Sequence, residues 1–175
     1  MLLMLRFMGG IMIILGCFGL GMWYRQQFIC RLQTLRNLLS ILETLMSEIQ
    51  YSKATLPECC KRISERQKEP FRSCFLDVYH AMRANSGESF QKVFLLNMEG
   101  CLKTLPITSE DREHFLSFVS GESFEDGRMQ LRAIERSCEL LRLSIQNAEK
   151  ENKEKCRLAV GLGAMSGLLL VVILI

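Results

Sequence analysis

The sequence predicts an all-α fold, a membrane-anchored antiparallel bundle of about six helices, and three observations lead there. Apolar residues recur at alternating spacings of four and three over two long stretches, which lines up one face of a helix. Between those stretches, proline, glycine and capping residues mark short helical segments, and nowhere do apolar and polar side chains alternate over a strand length between turn signals. The ends, Phe7 to Tyr24 and Leu158 to Ile175, each run 18 residues without a charge, the lower limit for a helix crossing a bilayer.

The predicted organisation is an N-terminal span over 1–24, a helical bundle over 25–157 and a C-terminal span over 158–175. From Phe28 the seam runs Phe28, Leu32, Leu35, Leu39, Leu42, Met46 and Ile49, with no breaker between this helix and the first span. One long helix is therefore expected to end near Tyr51. A charge placed on this seam, as in Leu39→Asp, is expected to unfold the bundle. Thr55-Leu56-Pro57-Glu58 has capping-box spacing with proline in the first turn, opening a helix that ends by Gln67. Pro70 opens the next, Phe71 to Arg83, which Asn85-Ser86-Gly87 stops. Ser89 to Leu102 forms a third short helix, and Pro106 breaks it. Thr108-Ser109-Glu110-Asp111 caps a fourth, running to Gly121. The last helix, from about Phe124, carries Ile134, Cys138, Leu141, Ile145 and Ala148 on one face and continues into the second span. The two long helices can then pack side by side as antiparallel neighbours.

Of the 175 residues, 49% are apolar and 23% charged, with a net charge of +3, which excludes a disordered chain and a strongly basic nucleic-acid binder. The middle segment holds all 19 acidic groups and 21 of the 22 basic ones. A domain of that size buries roughly two thirds of its unfolded surface and folds without metal or disulfide support. Arg25, Arg31 and Arg36 follow the first span, and Lys150, Lys153, Lys155 and Arg157 precede the second, while the outer flanks carry only Arg6. Positive flanks resist translocation, so the middle is expected in the cytoplasm and both termini outside. Cys17, Cys30, Cys59, Cys60, Cys74, Cys101, Cys138 and Cys156 show no regular framework and suit a reducing compartment, where they act as small hydrophobes. Leu15-Gly16-Cys17 faintly resembles a lipoprotein processing site, but Phe18 to Tyr24 continues the apolar run beyond it, which favours an uncleaved span anchored by Trp23 and Tyr24.

Catalytic and cofactor motifs are absent: there is no P-loop, no dinucleotide fingerprint, no H-E-x-x-H and no C-x-x-C. His80 and His114 fall on separate helices, and the adjacent Cys59 and Cys60 point about 100° apart on a helix, a poor geometry for sharing one ion. The run Glu149 to Glu154, with Lys150, Lys153 and Lys155, reads as a solvated helix face. No cofactor, no metal and no enzyme activity is therefore expected. Gly163 and Gly167 have the G-x-x-x-G spacing of closely packed membrane helices, and whether they meet the glycines of the first span or a second copy of the chain stays open.

Arg31-Leu32-Gln33-Thr34-Leu35-Arg36-Asn37-Leu38-Leu39, Leu42-Glu43, Glu48-Ile49-Gln50-Tyr51, Thr55-Leu56-Pro57-Glu58 and the terminal Leu162-Gly163-Ala164-Met165-Ser166-Gly167-Leu168-Leu169-Leu170 resemble the stage III sporulation protein AB family of endospore-forming bacteria. The resemblance covers essentially the whole chain. That family is related to the F-type platform proteins of type II secretion and type IV pilus machines. The resemblance implies a non-enzymatic membrane scaffold of the mother-cell-to-forespore channel, located in the mother-cell membrane surrounding the forespore. It also implies contact with the hexameric ATPase of the same operon (the AA protein) and with other stage III sporulation membrane proteins, alongside the lipid bilayer and no nucleic acid. A homo-oligomer stays open. The recognisable residues are mostly packing and capping positions, so no functional residue carries over from the family. Glu43, Glu48 and Tyr51, polar residues near the end of the first long helix, are the candidate partner surface, against the plainer alternative that they hold the bundle or face solvent. Two rival readings remain: a membrane-tethered regulatory bundle with another cytosolic partner, and a small membrane enzyme using His80 or His114.

Overall fold

The computed structural model describes residues 26, 28–52, 54–84, 87–120 and 127–174, with side chains described up to Lys153. Among the described residues the chain is helical with no strand. Helix α1 covers residues 28–47 and passes into a π-helical turn, Glu48–Ser52. It is followed by α2 (Leu56–Arg66), α3 (Phe71–Arg83), α4 (Phe90–Lys103), α5 (Ser109–Leu116) and α6 (Gly127–Leu174). Among the described residues the expected six helices are present, and α2 and α3 have the bounds that the sequence predicts. The segment expected to run to Gly121 stops sooner: α5 ends at Leu116 and a turn over 117–119 carries Phe118 and Val119 into the core.

Among the residues whose side chains are described, no helix is long and apolar enough to cross a membrane. The expected span over 1–24 lies outside the described residues, and over 158–174 only the helical backbone of α6 is described, so Gly163 and Gly167 are placed on that helix without their surroundings.

The chain divides into two compact units. One takes in Gln33–Ile145; the other holds the flanking parts, where Arg31 Nη1 meets Glu151 Oε2 at 3.6 Å. In the larger unit α2 packs on α3 and α3 on α4. Phe94 of α4 is the hub of its core. Ring centroids of Phe75, Phe90 and Phe118 lie 6.0, 5.4 and 5.3 Å away, and Phe115 extends the cluster through Phe118 at 6.2 Å. The Phe75 and Phe118 contacts are edge-on, the arrangement that sets the positive rim of one ring against the negative face of another.

The seam of α1 sits one residue off its expected phase. Leu35 and Leu42 are buried as expected, but Leu38, Ile41, Leu45 and Glu48 complete the buried stripe, whereas Phe28, Leu32, Leu39, Met46 and Ile49 are only half-buried. Leu38 and Leu39, like Leu45 and Met46, offer apolar neighbours at either phase, so spacing alone does not choose between two adjacent stripes. On α6 the expected face holds at Ile134, Cys138, Leu141 and Ala148, with Ser144 buried in place of Ile145.

Three of the four short helices are capped by the residues that announce them, while Pro70 before α3 makes no side-chain cap bond. The Thr55 N–H donates to Glu58 Oε2 at 3.1 Å with Pro57 in the first turn, and the Lys92 N–H donates to Ser89 Oγ at 3.4 Å. Gly87, between α3 and α4, has φ +66°, a left-handed conformation that glycine adopts without a Cβ penalty. At α5 the Thr108 N–H donates to Asp111 Oδ2 (3.0 Å) and the Asp111 N–H to Thr108 Oγ1 (3.2 Å), and Asp111 is buried. Thr108→Ala removes one of these bonds and is expected to cost roughly 1 kcal/mol, read as a lower thermal midpoint.

Candidate functional site

The end of α1 carries an acid where the stripe calls for a hydrophobe. Leu38, Ile41 and Leu45 bring Glu48 onto the buried face, and a carboxylate there has to be paired. The π-turn supplies part of the answer, since Ser52 Oγ donates to Glu48 Oε2 at 2.8 Å. Helix α2 supplies the rest: Arg62 Nη1 donates to the same oxygen at 2.5 Å, and Arg66 Nη1 stands 3.7 Å from Oε1. The Ser52 hydroxyl and then the Arg62 guanidinium hold the Glu48 carboxyl below its usual range, and Glu48 in turn raises Arg62.

Because the carboxyl titrates lower in the folded chain than in the unfolded one, its stabilisation is complete above the unfolded value and is lost as pH falls through the folded value. Glu48→Gln is therefore expected to lower the thermal midpoint at neutral pH, with the gap to the unsubstituted chain closing in strongly acid solution. A gap that stays constant with pH would contradict the pairing.

Beside this pair runs a groove of about 440 Å³ lined by Ser52, Glu58, Lys61, Arg62, Glu65 and Tyr79. A neighbouring depression of about 330 Å³ shares Glu58 and Tyr79 and adds Pro57, Met82 and Arg83. The Tyr79 ring is held by two cations, Lys61 Nζ at 5.8 Å and Arg83 Cζ at 5.9 Å from its centroid, and Arg83 Nη1 donates to its hydroxyl at 2.8 Å. Just before Ser52, Tyr51 leaves 78% of its surface exposed.

The three candidate surface residues thus separate. Glu43, on α1, accepts from Arg142 Nη2 of α6 at 2.8 Å, both side chains being about half exposed. Glu48 is turned inward, and Tyr51 presents itself outward. Sequence reasoning missed Arg62, Arg66 and Tyr79. A signal for the two arginines was present: a glutamate in register with a leucine stripe needs cations nearby, and Arg62 and Arg66 share one face of the next helix at i, i+4 spacing.

The histidines are not brought to a common site. His80 is exposed and lies against the Tyr79 ring at 5.4 Å. On α5, His114 Nδ1 meets Ser144 Oγ at 2.9 Å while its Nε2 stands 4.0 Å from Glu110 Oε1. Serine, histidine and carboxylate in that order invite comparison with a nucleophilic triad. Ser144, however, lies in mid-helix, where backbone N–H groups are spent on the helix ladder and form no oxyanion hole. With Ser117 Oγ and Ser137 Oγ at 2.6 Å, the contact fastens the α5 region to α6.

Burial pushes the Cys59 and Cys138 thiols up to about 11 and that of Cys101 to about 12, and raises Cys60 as well. At neutral pH these four are protonated and weakly nucleophilic, in keeping with a packing role. Among the described residues no group of three or more His, Cys, Asp or Glu side chains is placed to hold a metal ion.

The family model described as stage III sporulation protein AB matches residues 6–175. A solved structure titled "Stage III sporulation protein AB (SpoIIIAB)" is similar with a TM-score of 0.64 and 20% identity, over 71% of this chain and 98% of that one, a likeness of fold. No curated protein matches the chain.

Proposed function

The chain belongs to the stage III sporulation protein AB family, and from that membership we propose that it is a non-enzymatic platform of the mother-cell-to-forespore channel complex built during endospore formation. The observation that carries this reading is the extent of the family match, residues 6–175, which takes in both apolar ends as well as the bundle. In this reading 1–24 and 158–175 anchor the protein in the mother-cell membrane around the forespore, and 25–157 stands in the cytoplasm, in accord with the basic residues flanking each span. Gly163 and Gly167 provide a close-packing face within the membrane, toward other membrane components of the complex.

The role is coupling rather than catalysis. The cytosolic ATPase of the same operon works against the bundle, and α1 and α6 carry the resulting movement toward the spans. Exposed Tyr51 and the adjoining groove are the part of the bundle suited to that contact, since tyrosine and arginine dominate the energetics of protein interfaces. The test is size-exclusion co-elution of the detergent-solubilised full chain with the cognate ATPase. Co-elution that Tyr51→Ala weakens is expected. Separate elution of a chain with full helicity would contradict ATPase coupling and favour a regulatory bundle with another partner.

A further inference from the structure

We infer that the groove between the π-turn, α2 and α3 is a docking site for an acidic segment of a partner protein, its carboxylates seated on Lys61 and Arg83 and an aromatic or apolar side chain lying against Tyr79 and Met82. The inference rests on the platform reading to the extent that a platform binds a protein partner; the location and chemistry of the site come from the groove itself.

Three cations, Lys61, Arg62 and Arg83, and two carboxylates, Glu58 and Glu65, line the two depressions, and Arg62 is taken up by Glu48 behind them. Glu48 takes Ser52 and Arg62, and Glu58 closes the N-terminus of α2 through the Thr55 N–H. The cations are not consumed to the same degree. Lys61 carries three N–H donors and each arginine five. Yet Lys61 and Arg83 are engaged by the Tyr79 ring and hydroxyl rather than by a carboxylate. Glu65 is the remaining carboxylate on the lining, one acid against two such side chains. The recess therefore offers a surplus of oriented donors with the geometry that favours carboxylates.

Tyr79 makes this a built site rather than scattered surface charge. Its ring holds Lys61 and Arg83 at 5.8 and 5.9 Å, so two long side chains from different helices are gathered before a ligand arrives, which lowers the ordering cost of binding. Both depressions meet at Tyr79 and Glu58, giving a continuous track for an extended chain.

The test uses the full chain in nanodiscs of zwitterionic phosphatidylcholine and fluorescently labelled poly-L-glutamate as the probe, read by anisotropy at low salt. Lys61→Glu/Arg83→Glu is expected to weaken binding at least tenfold, and Lys61→Gln/Arg83→Gln to weaken it less. Tyr79→Ala, which leaves every charge in place, is expected to weaken it several-fold by releasing the two cations. Arg132→Glu/Arg136→Glu, an equal charge change at exposed positions of α6, is expected to leave binding nearly unchanged. Absence of binding, equal loss in both charge-reversed pairs, or indifference to Tyr79→Ala would overturn the inference. It would also be overturned if phosphatidylserine vesicles displaced the probe and their own binding fell with Lys61→Glu/Arg83→Glu, since the occupant would then be a lipid surface. If the probe fails while the ATPase still co-elutes, the docking site falls and the platform reading stands.

Discussion

Phe94→Ala is expected to destabilise the bundle by about 3–5 kcal/mol, the usual cost of truncating a fully buried phenylalanine. Phe94 is 0% exposed and contacts Phe75, Phe90 and Phe118, which come from α3, α4 and the turn after α5. Removing its ring leaves a cavity that three elements border, so collapse around it would have to move all three together. For a domain of this size the thermal midpoint should fall by roughly 10 °C or more. Leu96→Ala, two residues away on the same helix but 73% exposed, should change it little. Equal effects of the two substitutions would show that Phe94 is not the hub.

Leu38→Asp should do more still. Leu38 is 0% exposed on the inner face of α1. A carboxylate there is shut off from solvent, and an uncompensated buried charge costs about 3–5 kcal/mol beyond the apolar burial it displaces. Glu48 on the same stripe shows what is needed to keep an acid in place: a hydroxyl and two guanidinium groups. Leu39→Asp, by contrast, sits on the half-buried margin, where the side chain can turn toward water, and should be clearly milder. Far-UV circular dichroism and thermal midpoints of the two variants measure the phase of the helix directly. The reverse order would restore the seam that runs through Leu39.

Comparing those two leucines shows how far the sequence carries. The helices themselves were legible because their ends are written in local chemistry: Thr55 and Glu58, Ser89, and Thr108 with Asp111 satisfy backbone groups within one turn, and Pro70 marks a helix start by its fixed backbone. The rotation of α1 was not, because Leu38-Leu39 and Leu45-Met46 are apolar on both candidate stripes and only packing against other elements decides between them. The π-turn was not legible either, since no capping or turn residue in Glu-Ile-Gln-Tyr-Ser marks a wider turn.

Of the three candidate surface residues, Tyr51 is exposed, whereas Glu43 and Glu48, from the same stretch of α1, pair with Arg142 and Arg62, relations that the local sequence does not contain. The groove could not be read at all. Lys61, Tyr79 and Arg83 belong to two helices whose register is set by the α2–α3 packing, a long-range relation that spacing along one helix does not contain.

If the chain transmits the work of a cytosolic ATPase to the membrane, as proposed, ATP turnover reports it most directly. The cognate sporulation ATPase would be assayed alone and with the full chain in nanodiscs. The account predicts a saturable change in turnover that Tyr51→Ala diminishes. Turnover unchanged at saturating nanodisc concentration, with the chain fully helical, would contradict it.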